Sequence, residues 1–142
     1  MASDSVRDLL AGRPLLGVTG SFTVAAACHR LRQHGVGALA VLEGPKLVGI
    51  LSERDISVRV IAGHWDPMLT LVREVMTPDP RTIPAQASIP EALRTMLAGG
   101  FRHLPVTSEG AVIGMVSLRD IPHRYRASEH PTREGLPVLA LG

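Results

Sequence analysis

The chain has 142 residues, 45% of them apolar and 20% charged, with a formal net charge of +2. That is globular material of one-domain size, long enough to bury a core. Aromatic residues make up only 3% and the arginines are scattered, which argues against stacking platforms for single strands and against a nucleic-acid partner in general. No apolar stretch reaches the roughly 18 residues that span a bilayer, and the first residues lack a signal-peptide core. The single cysteine, Cys28, fits a reducing compartment. These features predict a cytoplasmic protein with no membrane partner.

In chain order, Leu15–Val18 is expected to form a short edge strand. A helix follows, capped by Thr23 or Ser21, with Val24, Ala27, Cys28 and Leu31 on its apolar stripe and Gly35 at its end. Two apolar runs, Ala38–Leu42 and Leu47–Leu51, flank Glu-Gly-Pro-Lys and read as a hairpin. A second helix is expected from Glu53 to about Ala62. A linker covers 63–71, with Met68–Met76 expected to be helical and to lead onward.

The order then returns. Arg81–Pro84 reads as another edge strand. Ser88-Ile-Pro-Glu91 opens a helix as a capping box, Ile89, Ala92, Leu93, Met96 and Leu97 form its stripe, and Gly99-Gly100 stops it. His103–Thr107 and Val112–Val116 form the second hairpin, and Leu118 to about Tyr125 the last helix. The tail, 129–142, reads as irregular from His130 onward.

This return is a sequence repeat. Sliding Gly35–Arg59 onto Gly100–Arg124 matches nine positions, among them Gly49/Gly114, Ser52/Ser117, Arg54/Arg119 and Asp55/Asp120. Upstream, Val6-Arg7-Asp8 matches Val72-Arg73-Glu74 with one residue of offset. Core packing repeats apolar residues; a repeated Ser-x-Arg-Asp points to a repeated polar site. The expected halves are 1–62 and 72–128. One copy would leave a sheet face bare, so the pair is expected to form one cooperative unit.

Each Ser-x-Arg-Asp follows an apolar run and is expected to start a helix, where free amides favour an anion. A hydroxyl, a guanidinium and such amides suit a phosphate, and the carboxylate can accept both hydroxyls of a ribose. Capping explains the same residues in one copy; recurrence in both favours a site.

The pattern resembles a tandem pair of CBS domains, the modules named after cystathionine beta-synthase. The pieces that carry the resemblance are Val72-Arg-Glu-Val-Met-Thr-Pro78, Gly99-Gly-Phe-Arg-His-Leu-Pro-Val106 and Gly114-Met-Val-Ser-Leu-Arg-Asp-Ile121, within Val6 to Arg126. The resemblance implies an α/β fold of two β-α-β-β-α repeats packed sheet to sheet with pseudo-twofold symmetry. It also implies two clefts for adenosine-containing ligands. One would use Ser117, Arg119 and Asp120, with Arg102 and His103 near phosphate and Leu16, Gly17, Val18, Val36, Gly37 and Ala38 around adenine. The other would use Ser52, Arg54 and Asp55 with Thr82, Ile83, Pro84 and Phe101.

Other residues read as structural. Cys28 lies on an apolar stripe, and its neighbour His29 points about 100° away, so the two make no catalytic pair. The six histidines show no zinc-ligand spacing. The expected function is a stand-alone sensor, not an enzyme, with no resident cofactor or metal. Its regulatory ligand would be AMP, ADP, ATP, S-adenosylmethionine or NAD. The alternatives are a ligand-free module for an unidentified protein partner and, less favoured, an enzyme built on Cys28. A homodimer is expected through outer helices carrying Val58, Ile61, Ala62 and Ile121.

Overall fold

The computed structural model describes residues 4–129. In order, the elements are α1 (Val6–Leu10), β1 (Gly17–Thr19), α2 (Val24–His34), β2 (Ala38–Glu43), β3 (Lys46–Ser52), α3 (Glu53–Asp55), α4 (Val72–Val75), β4 (Thr77–Pro78), β5 (Ile83–Pro84), α5 (Ile89–Gly99), β6 (His103–Ser108), β7 (Ala111–Ser117) and α6 (His123–Glu129). α3 runs on as a wider π-helical stretch, Ile56–Ile61, and Leu118–Asp120 forms a single 3-10 turn. The fold is mixed α/β with two small sheets, as expected.

The helix caps and the glycine stops fall where the sequence places them. Thr23 and Ser88 each accept a backbone amide as N-caps of α2 and α5, and Gly35 and Gly100 end those helices in the left-handed conformation. β2–β3 and β6–β7 are antiparallel hairpins, with β1 parallel to β2 and β5 parallel to β6. The registers coincide: Ala38 faces Ser52 as His103 faces Ser117, and both hairpins shift register at the matching step.

Two expectations need correction, and one strand was not foreseen. The helix expected from Leu118 to Tyr125 is broken, because Pro122 forces Ile121 into extended backbone and α6 starts afresh at His123. The helix expected over Met68–Met76 is only Val72–Val75. Before it, Asp66 holds a turn through the Met68 amide and the Thr70 hydroxyl, and Leu71 is extended. Thr77–Pro78 pairs with β3 as a strand too short to leave a pattern. The tail expected to be irregular from His130 lies outside the described residues.

The leader helices cross over. Val6 and Leu10 of α1 are buried with Ile83, Ile89, Leu93, Met96, Leu104 and Val116 of the second half. Val72 and Val75 of α4 are buried with Val24, Leu31, Leu39, Leu51 and Val60 of the first. Backbone bonds repeat the exchange: the Val6 and Arg7 amides donate to Ala87 and Ala85, and those of Val72 and Arg73 to Phe22 and Gly20. Each core therefore draws on both halves of the sequence.

This explains the repeated glycine. A Cβ on Gly114 would lie 2.8 Å from a Leu10 methyl, and one on Gly49 would lie 2.5 Å from the Met76 sulfur and 3.0 Å from the Thr77 carbonyl oxygen. Leu10 and Met76 match at the leader offset, so each glycine makes room for the leader that crosses over it. Gly49→Val is expected to cost about 1–3 kcal/mol in urea denaturation. Unchanged stability would contradict this packing.

Candidate functional site

The repeated turns are closed from the same direction. The Glu53 amide donates to the Gly37 carbonyl at 3.0 Å, and the Leu118 amide to the Arg102 carbonyl at 2.8 Å. The start of β2 or β6 thus lies against the Ser-x-Arg-Asp turn that ends its hairpin. The halves also meet here: a Cβ on Gly37 would lie 3.1 Å from Glu53 Oε1 and 3.3 Å from His103 Nε2. Gly37 and His103, expected in one cleft, are in contact.

Asp55 is 7% exposed and fully engaged. Its Oδ2 accepts from the Ser52 amide at 2.9 Å and the Ser52 hydroxyl at 3.0 Å, and its Oδ1 from the Thr77 hydroxyl at 3.0 Å. Arg59 approaches Oδ1 at 4.0 Å and is anchored by the carbonyls of Val75 and Met76. Ser52 also caps α3 by accepting the Asp55 amide.

Asp120 is held differently. Its Oδ2 accepts from the Ser117 amide at 2.8 Å, and Arg13 forks both oxygens at 3.3 and 3.1 Å. The two side chains are 20% and 48% exposed. The expected helix start is a lone 3-10 turn, which brings no helix dipole, and the Ser117 hydroxyl makes no cap hydrogen bond.

His103 lies within electrostatic reach of Asp120, Arg102 and Arg119. His103 is mostly enclosed; burial and then Arg102 push its pKa below the usual 6.5, Asp120 pulls it up, and Arg119 adds to the depression. The ring is therefore held neutral at pH 7, with one donor and one acceptor to offer. Arg102 and Arg119 are exposed to water.

The other expected residues fall variously. Val18, Ala38 and Ile83 are buried within the cores, so only their backbone is available to a ligand. Leu16 and Val36 pack partly against the first core. Gly17 and Val18 border a pocket of about 340 Å³ with Phe22 and Leu42. Thr82 borders one of about 560 Å³ at the hairpin tips, beside Lys46, Asp79 and Thr107. Neither pocket is lined by Asp55 or Asp120. Arg54 and Pro84 are exposed, and Phe101 is 37% exposed against Gly99.

Arg13, Thr77, Arg59 and Glu53 escaped the sequence reading. Arg13 and Thr77 lie on the crossing leader segments, so only tertiary structure brings them to the aspartates. Cys28 is half-buried against the first core, and burial pushes its thiol pKa up, the opposite of nucleophile activation. Among the described residues no group of three or more His, Cys, Asp or Glu is placed to hold a metal ion. Of the outer apolar residues, Val58 and Ile61 are exposed, whereas Ile121 is 1% exposed in the second core because Pro122 turns the chain there.

Equal capping roles predict similar, small costs for removing the two aspartates; the geometry predicts otherwise. Asp55→Ala strands the Thr77 hydroxyl and the Ser52 amide and should cost on the order of 2–3 kcal/mol. Asp120→Ala breaks a half-exposed pair and one amide bond and should cost about 1 kcal/mol. Denaturation of both variants checks the order; equal costs would contradict it.

The model of the CBS domain matches residues 6–61 and 72–125. A CBS domain-containing protein of Arabidopsis thaliana is 38% identical over 107 residues, covering 75% of this chain. The chain spans about a fifth of the length of such Arabidopsis relatives, 19% and 20% for two of them. Among solved structures, one from Burkholderia ambifaria, described as a signal-transduction protein with CBS domains, is 30% identical with a TM-score of 0.80, covering 90% of this chain and 98% of that one. A CBS domain protein from Pyrobaculum aerophilum complexed with AMP is 23% identical with a TM-score of 0.76, covering 97% and 99%. With two matched copies, duplicated registers and this likeness of fold, the chain belongs to the CBS domain family as a tandem pair.

Proposed function

We propose that this pair is a regulatory module that binds an adenosine-containing nucleotide without transforming it, in the cytoplasm. The observation that carries the reading is Asp120: a partly exposed carboxylate, repeated in sequence, that acts together with Arg102 and Arg119 on a neutral His103. A ribose offers two hydroxyl donors to such a carboxylate, and phosphate suits the flanking guanidinia. The AMP complex of the Pyrobaculum protein supports the ligand class. Binding free energy would then shift the module's conformation or its association with another protein. The raised thiol pKa of Cys28 weighs against the enzyme alternative.

A ligand at about 100 times its dissociation constant adds roughly 2.7 kcal/mol, a melting shift on the order of 5–10 °C for a domain of this size. Asp120→Ala should weaken the binding about tenfold or more. If AMP, ADP, ATP, S-adenosylmethionine and NAD at saturating levels all leave the melting point unmoved, the ligand-free interaction module replaces this reading.

Val58 and Ile61, 56% and 60% exposed on the outer face of the π-helical stretch, favour pairing with a second copy. Light scattering should give twice the 15.2 kDa chain mass, and Val58→Glu should shift it toward the monomer. A monomeric native chain contradicts the homodimer.

A further inference from the structure

The two aspartates are equivalent in sequence and inequivalent in surroundings. Asp55 is enclosed and accepts three hydrogen bonds from Ser52 and Thr77, so a ribose would have to strand buried donors. At the leader offset, Ala11 stands where Thr77 does, so Asp120 receives no such hydroxyl. It receives Arg13 instead, through a forked pair whose guanidinium is 48% exposed. An exposed ion pair contributes little net stability and is open to exchange.

We propose that only the Asp120 cleft takes a ribose, and that the ribose enters by displacing Arg13 from the carboxylate. This rests on the nucleotide reading above and adds to it one site per chain and a built-in competitor. Arg13 is poised for the exchange. Its Nε donates to the Leu10 carbonyl at 2.9 Å and its Nη2 to the Leu9 carbonyl at 2.8 Å, so it stays tethered to the end of α1 when the pair opens. The same pair ties the end of α1 to the Asp120 turn. Occupancy of the cleft therefore releases one restraint on the leader helix, which couples ligand to the N-terminal segment.

Calorimetry with two probes tests this. AMP should saturate at one molecule per chain. Adenosine, which is uncharged, should bind Arg13→Ala about two- to fivefold tighter than the native chain, the worth of an exposed pair. Raising salt from about 0.05 to 0.5 M screens that pair, so adenosine should tighten on the native chain and not on Arg13→Ala. Should Arg13→Ala fail to fold, the salt series on the native chain decides alone. Two AMP per chain, or adenosine binding indifferent to both salt and Arg13, would overturn the proposal while leaving nucleotide binding intact. No binding of any adenosyl compound to the native chain would overturn the nucleotide reading, and this inference with it.

Discussion

The exchange of leader helices is the constraint on which the rest depends. Neither half contains a complete core: the second is finished by Val6 and Leu10, the first by Val72 and Val75. The consequences reach into the strands, because a crossing side chain must lie flat on the sheet where it lands. Gly49 and Gly114 leave room for Met76 and Leu10, which the sequence repeat registers as an identity with no chemistry of its own. The crossing segments then run on to the two aspartates and deliver their differing partners, Thr77 to one and Arg13 to the other.

The asymmetry between the clefts thus has a structural origin. Duplication preserved the Ser-x-Arg-Asp turn and its backbone closure, the Gly37 and Arg102 carbonyls accepting equivalent amides. Divergence fell on the leaders. A threonine hydroxyl turns Asp55 into a buried structural acceptor, whereas an arginine leaves Asp120 in a charge pair facing water. The second half carries Arg102 and His103 where the first half has Gly37 and Ala38, while Arg119 and Arg54 are common to both.

What the sequence disclosed follows the range of each interaction. Caps at Thr23 and Ser88, the glycine stops and the hairpins are local, and their signals lie within a few residues. The repeat disclosed the pairing of halves and both aspartates. The break at Pro122 was legible in principle, since a residue before proline avoids the helical region, but the periodicity beyond it masked the signal. The crossing of α1 and α4 was not legible, because nothing within six residues of Val6 says which core receives it. For the same reason Arg13 and Thr77 were invisible as partners of residues 107 and 22 positions away. The pockets were equally hidden, since they form between hairpin tips and at a sheet edge, where sequence neighbours do not meet.

If each core is completed by the other half, damage to one leader must be felt throughout the chain. Native-state hydrogen exchange on Leu10→Ala tests this directly. Losing this side chain should cost about 2–5 kcal/mol. Although Leu10 packs only in the second core, protection should fall by the same free energy at Leu39 and Leu51 of the first core as at Leu104 and Val116 of the second. A loss confined to Leu104 and Val116, with Leu39 and Leu51 unchanged, would show two independent units and contradict the account.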